Sequence, residues 1–235
     1  MGRTFALAAA REGAKVAVVD INLSTATEVA SSIQKNNGHG MSVKVDVANE
    51  HETLMMASKV ADAFGRIDVL VNNAAFYYGL QRRSFDEIPL EEWDKMFAVN
   101  AKGCWLCCRA VFPYMKKQGR GKIVNLASAV VFSGAPNMIH YVASKGAVVA
   151  LTRALAKEVG GYGINVNAIA PGLVMTEASK LQSTPDYEKS VVASRAIKRL
   201  AEPEDVVGTL LFLSSDASDF VTGQTMLVDG GMIFH

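Results

Sequence analysis

Hydrophobic positions follow two alternating arrangements along the chain. Short apolar runs at 15–20 (KVAVVD), 42–45, 67–71, 122–126, 164–169 and 224–228 are apolar on both faces and read as buried strands. Longer segments with helical spacing lie between them, at 3–13 (closed by Gly13), 23–36 (closed by Asn37-Gly38), 50–64 (before Gly65), 90–117, 136–160 and 203–214. A kink is expected in 90–117 near Gly103 or Pro113, because glycine and proline interrupt helices. Segment 74–89 reads as an aromatic-bearing loop, and 171–200 as irregular with broken helical pieces. Strands that alternate with helices and are apolar on both faces predict a doubly wound α/β fold, a parallel sheet covered by helices on both faces. Residues 1–235 read as one domain. Such folds bind ligands beyond the carboxyl ends of their strands. Asp20, Asp46, Asn72, Ser128 and Pro171 all follow strand ends.

Composition narrows the classes. Half of the residues are hydrophobic and 20% are charged, enough for a full core. The net charge of +1 is spread with both signs interspersed, which argues against nucleic acid as a partner. No apolar run is long enough to span a membrane, and the opening FALAAA runs into Arg11 and Glu12, unlike a signal peptide. Met1-Gly2 is not followed by the Ser or Thr at position six that myristoylation requires, which here is Ala6. Cys104, Cys107 and Cys108 share one helical segment and have no matching Cys or His pair elsewhere. They read as packing residues of a reducing compartment, with no metal site, and a cytoplasmic protein is expected.

The chemistry concentrates in 128–145, SAVVFSGAPNMIHYVASK. Tyr141 and Lys145 are four apart on a helix and share one face. An ammonium beside a phenol favours the phenolate, so Lys145 is expected to lower the tyrosine from its usual value of about 10. Such a tyrosine serves as general acid or base toward an alcohol or ketone oxygen, and the Ser128 hydroxyl can hold that oxygen as charge develops. A Y-x-x-x-K alone is a weak signal, equally consistent with a surface Tyr and Lys on an amphipathic helix.

With the other motifs in place the chain resembles a classical short-chain dehydrogenase/reductase from Gly2 to Gly231. The motifs are Asp20, Asp46-Val47, Asn72-Asn73-Ala74-Ala75, Asn100, Ser128, Tyr141-x-x-x-Lys145, Pro171-Gly172-x-x-x-Thr176 and Val228-Asp229-Gly230-Gly231. The resemblance implies a Rossmann-type fold with Tyr141 as acid/base, Ser128 binding the substrate oxygen, and Asn100 holding a proton-relaying water. It implies that Lys145 lowers the tyrosine and holds the nicotinamide ribose. Asp46 and Val47 would meet the adenine, Asn72 would brace the sheet and contact ribose, and Thr176 would meet the carboxamide. Pro171 and Gly172 belong to the same cofactor-binding turn, and glycine there allows close backbone approach. The carboxylate of Asp20 can accept hydrogen bonds from ribose hydroxyls and would repel a 2′-phosphate, which favours NAD over NADP.

Two departures stand out. The family's first strand and most of its glycine-rich turn are missing, with Gly2 matching the turn's last glycine. Losing a central strand would remove on the order of 10 kcal/mol of burial and leave two sheet edges unpaired. The native chain is therefore expected to begin upstream of Met1. Ala75 stands where the family has glycine, which is tolerable at negative φ. Phe76, Tyr77, Tyr78, Val130, Val131, Phe132 and Met138 predict an apolar substrate pocket, and 173–200 a lid over it. The implied activity is hydride exchange between NAD(H) and a secondary alcohol or ketone, like 3-oxoacyl reductases or aryl and alkyl alcohol dehydrogenases. The family is commonly tetrameric, and a homotetramer or homodimer is expected through 90–117 and 138–160. The competing readings are a non-catalytic dinucleotide sensor or scaffold on the same fold, or an inactive truncated form.

Overall fold

A computed structural model describes residues 1–234. The chain opens with helix α1 (Gly2–Arg11), strand β1 (Val16–Asp20), helix α2 (Leu23–Lys35) and strand β2 (Gly40–Lys44). Helix α3 (Glu50–Phe64), strand β3 (Val69–Asn72) and helix α4 (Leu90–Phe97) come next, then a π-helical segment Ala98–Gly103 that leads into α5 (Cys104–Gln118). Strand β4 (Gly121–Leu126), the short α6 (Val130–Ser133), the long α7 (Ile139–Val159) and strand β5 (Ile164–Pro171) form the centre. The chain closes with α8 (Glu177–Lys180), α9 (Pro185–Ser194), α10 (Val207–Ser214) and β6 (Thr225–Val228).

Local chemistry sets the boundaries. The side chains of Asn22 and Asn49 accept from the amides of Ser24 and Glu52 and start α2 and α3. Gly65 and Gly119 end α3 and α5 in the left-handed conformation. The expected single helix over 90–117 is instead two α-helices joined by the π-helical turn. Pro113 sits inside α5 without ending it. The interruption, Ala98–Gly103, ends at Gly103, one of the two expected kink positions, and holds Asn100 within it.

All strand pairings are parallel, as the pattern of apolar runs predicts. The sheet is in two parts, β1-β2 and β3-β4-β5-β6, with the two unpaired edges expected from the sequence at β1 and β3. β1 and β3 do not pair, and both line one large cavity of about 2070 Å³. The effect on burial is direct: every residue of β4 is buried, and none of β1 or β3 is. Within β4, Ile123 joins the core formed with α5 and α7, while Val124 and Leu126 join the opposite core with Phe5 of α1 and Leu210 and Leu213 of α10. Helices thus cover both faces of the four-stranded part. Cys104, Cys107 and Cys108 are buried free thiols on α5, in keeping with a packing role. Among the described residues no helix is long and apolar enough to cross a membrane.

Candidate functional site

The residues at the strand ends converge on the large cavity, which is lined by Asp20, Asp46, Val47, Asn72, Ser128, Tyr141, Lys145, Pro171, Gly172 and Thr176. The cavity runs along the gap between β1 and β3 and over their carboxyl ends to Tyr141 and Lys145 of α7. Parallel topology puts every strand's carboxyl end on one side, so residues far apart in sequence meet there.

At the catalytic end Tyr141 is nearly buried, and its ring packs against Tyr77 with centroids 5.1 Å apart. Ser128 lies at the same wall, its Oγ accepting weakly from the Val130 amide at 3.4 Å. Lys145 is buried one turn along α7. Its Nζ donates to the Leu126 carbonyl at 2.6 Å and stands 5.9 Å from the Tyr141 ring centroid. The expected lowering of the phenol by this lysine does not appear in this geometry. Burial raises Tyr141 above its ordinary value, Tyr77 adds to the rise, and a hydrogen bond with Ser128 opposes it. Lys145 is not among the groups that move it, because its short bond points to Leu126, and desolvation of the phenolate dominates. Burial in turn lowers Lys145 to about 8.

Asn100 is buried in the π-helical turn. Its Oδ1 accepts from the Phe76 amide at 2.7 Å, and its Nδ2 donates to Ser144 Oγ at 3.0 Å and to Met96 Sδ at 2.9 Å. The side chain therefore joins the aromatic loop to α7, and a relayed water would have to be held by its remaining atoms. Asn72 braces the sheet as expected: its Nδ2 donates to Asn125 Oδ1 at 2.8 Å across β3 and β4.

Two of these residues also have partners within the chain. The hydroxyl of Thr176 caps α8, exchanging hydrogen bonds with Ser179 in a capping box. Gly172 is required within the chain too, since a Cβ there would lie 2.9 Å from the Asp229 Cβ. Asp229 itself is buried and accepts the amides of Gly231, Met232 and Ile233, which folds the Val228–Gly231 motif back against Gly172. Ala75 has no positive φ, so it is accommodated. Phe76, Tyr77, Tyr78, Val130 and Met138 line the cavity, but Val131 and Phe132 pack against the main core instead, on the inner side of short α6.

Sequence reading passed over several supports. Asn125 is fully buried and links Asn72 to Thr152, and an amide between the apolar residues Val124 and Leu126 was its signal. His140, also fully buried, meets Glu92 Oε1 at 2.9 Å, and Arg83 Nη2 lies 3.5 Å from Glu92 Oε2. With the Arg83 amide donating to Asn137 O, this ties the 74–89 loop to the start of α7 beside Tyr141. Nothing local in the sequence marks that network.

The parallel sheet and the cavity at its strand ends define a doubly wound α/β protein. The chain belongs to the short-chain dehydrogenase/reductase family: the family model described as enoyl-(acyl carrier protein) reductase matches residues 1–233. An uncharacterized oxidoreductase of Mycobacterium tuberculosis is 41% identical over 235 residues, covering 100% of this chain and 94% of its own length. The structure of a 7α-hydroxysteroid dehydrogenase complexed with NADH and 7-oxo glycochenodeoxycholic acid superposes with a TM-score of 0.93 at 33% identity, covering 98% of this chain and 89% of that one. A gluconate 5-dehydrogenase from Burkholderia cenocepacia, in complex with NADP and tartrate, superposes with a TM-score of 0.92 at 31% identity, covering 97% and 89%.

The family binds a nicotinamide dinucleotide, and the residues present fit one. Gly2, Arg3 and Thr4 open α1 with no side-chain cap and line the cavity, leaving first-turn amides for a pyrophosphate. Gly2 sits so close to Asn73 that a Cβ would meet its Nδ2 at 2.8 Å. Asp20 uses Oδ1 to accept from the Asn22 amide at 2.9 Å, and the other oxygen has no partner among the described residues. Asn22, rather than Asp20, caps α2.

Proposed function

We propose that this chain is an NAD(H)-dependent oxidoreductase that interconverts a secondary alcohol and a ketone, with Ser128, Tyr141, Lys145 and Asn100 as its reactive set. The observation that carries the reading is the single cavity joining Asp20 to Tyr141, with Ser128 and Lys145 on its walls. A bound dinucleotide would supply or accept the hydride.

The chain's own residues do the rest. The Ser128 hydroxyl donates to the substrate oxygen and holds it as negative charge grows. The Tyr141 hydroxyl gives that oxygen a proton on reduction and takes it back on oxidation. Its raised pKa suits the acid role, keeping the proton on the phenol until an alkoxide forms. Lys145, lowered to about 8, is still mostly protonated at neutrality and places a cation 5.9 Å from the ring centroid. Asn100 holds the Phe76 amide, and so the aromatic wall, against α7. Asp20 selects the ribose diol of NAD, since no cation next to it, at Ile21 or Asn22, would offset a 2′-phosphate. Segment 173–200 acts as the lid, with Gln182 Nε2 bonded to the Tyr77 carbonyl at 3.0 Å across the mouth. The buried thiols suit a reducing cytoplasm, and the faces of α4, α5 and α7 would pair copies into a dimer or tetramer.

The test is NADH and NADPH binding together with turnover on an alcohol and ketone panel, for the unmodified chain and Tyr141→Phe. Turnover should drop roughly 100-fold or more in the variant while cofactor binding and melting temperature persist. Cofactor binding without any turnover in the unmodified chain would instead favour a sensor.

A further inference from the structure

The two segments that border Tyr141, 73–95 and 172–191, carry an excess of cations toward the cavity. Their charged residues that line it are Arg82, Lys95, Lys180 and Glu177. Lys180 and Glu177 share the single turn of α8, which leaves Arg82 and Lys95 as the surplus. Neither has a carboxylate partner among the described residues. The nearby acids that are engaged have other partners: Asp86 accepts from Ser84, and Glu92 is taken by Arg83 and His140. Asp94, Glu87 and Glu91 do not line the cavity.

Both cations are seated on aromatic rings. The Arg82 guanidinium lies 4.9 Å from the Tyr187 ring centroid, and Lys95 Nζ lies 4.7 Å from that of Phe76. A ring fixes one side of the cation and leaves its other donors open. The seat of Lys95 and the charge of Arg82 are also linked to the reactive set. Phe76 is held by Asn100, and Tyr77, whose hydroxyl feels the charge of Arg82, packs on Tyr141. On the same wall Gln182 Oε1 and Ser183 Oγ are buried with no hydrogen-bond partner. Buried polar atoms of this kind need a partner, and a polar substrate arm supplies one.

We propose that the substrate is a hydroxy or oxo compound bearing an anionic group, a carboxylate or a phosphate, held by Arg82 with support from Lys95. The carbinol or carbonyl carbon lies at Ser128 and Tyr141, an apolar middle crosses Tyr77 and Met138, and the anion reaches the guanidinium, whose planar fork matches either oxyanion. This rests on the dehydrogenase reading above and adds the substrate class.

The experiment uses pairs in which one member carries the anion and its counterpart does not, assayed with NADH, and the Arg82 variant separates charge from the other differences. The carboxylate pair is 3-benzoylpropanoate against its methyl ester. The phosphate-bearing pair is acetoacetyl-coenzyme A against acetoacetyl-N-acetylcysteamine. At least one anionic member should exceed its neutral counterpart in kcat/KM by roughly tenfold to a hundredfold, the scale of a charge-assisted hydrogen bond. Whichever pair shows it identifies the anion. Arg82→Gln should erase most of that ratio by raising KM for the anion, with kcat and the neutral member changed by less than about twofold. Lys95→Gln should do the same more weakly, and added salt should reduce the ratio in the unmodified chain. Both residues are exposed, and melting temperatures check that the variants fold. Equal kcat/KM within both pairs overturns the anion while leaving a dehydrogenase. Equal losses on both members in Arg82→Gln remove Arg82 from the role. No turnover of any member overturns the dehydrogenase reading and this proposal with it.

Discussion

Lys145 Nζ donates to the Leu126 carbonyl at 2.6 Å, so the ammonium of α7 is anchored to the end of β4. One bond to a carbonyl does not replace hydration of a buried charge, and burial lowers the lysine to about 8 from its ordinary 10.5. Between those values the unfolded chain binds a proton that the fold has released, so stability rises with pH from about 8 toward 10.5. The thiols act in the opposite sense: Cys107 is pushed up to about 12 by burial and Cys108 is raised as well, so above about 9 the fold retains protons that the unfolded chain sheds. Tyr141 adds to that loss above about 10, the ordinary value of a phenol. The lysine is isolated by difference. Denaturant unfolding at pH 7 and pH 9 should show a larger gain for the unmodified chain than for Lys145→Met, and an equal change in both would contradict the lowered value.

Asn125 is fully buried and accepts from Asn72 while donating to Thr152 at 2.9 Å. Removing it leaves two buried polar groups short of a partner, and Asn125→Ala should cost about 1–3 kcal/mol. Combined with Asn72→Ala, the double variant should lose less than the sum of the singles by more than about 0.5 kcal/mol. Strict additivity in a denaturant double-mutant cycle would mean that the two amides are not coupled.

Glycines 172 and 146 make opposite predictions. At Gly172 an added methyl would lie 2.9 Å from the Asp229 Cβ and 3.1 Å from its Cα, and Asp229 is locked by three amides. Gly172→Ala should cost about 1–3 kcal/mol. At Gly146, inside α7, an added methyl would meet nothing within 4 Å, so Gly146→Ala should gain up to about 1 kcal/mol from helix propensity. Melting temperatures moving in the same direction for both would contradict the local geometry.

Asp20 is exposed and makes one local hydrogen bond, so Asp20→Ala should leave stability within about 1 kcal/mol. NADH affinity should fall by roughly tenfold while NADPH affinity holds or improves, as expected for a lost hydrogen bond and a lost repulsion. Titration of both cofactors by fluorescence decides it, and an unchanged preference would remove Asp20 from that role.

The elements and their order were legible in the chain. β1, α2, α3, β4 and β6 lie within two residues of their expected bounds, because runs of apolar residues, capping asparagines and terminal glycines act over a few positions. The strand-end placement of Asp20, Asn72 and Pro171 followed from the same pattern together with parallel topology. What periodicity could not show was the π-helical turn at Asn100, whose partners Phe76 and Ser144 lie 24 and 44 residues away.

The site's electrostatics were still less accessible. Y-x-x-x-K spacing puts Tyr141 and Lys145 on one face, yet whether the ammonium reaches the phenol or the Leu126 carbonyl depends on atoms from β4. Desolvation is a property of everything packed around a group, so Tyr141 rises and Lys145 falls for reasons that no local spacing contains. In the same way Gly172 answers to Asp229, and Arg82 is set on Tyr187 by a meeting of two distant segments. Sequence alone carried the secondary structure and the chemical identity of the groups, because both depend on neighbours a few residues apart. Tertiary structure decided which groups touch and how far each is removed from water, because those depend on distances between segments far apart in the chain.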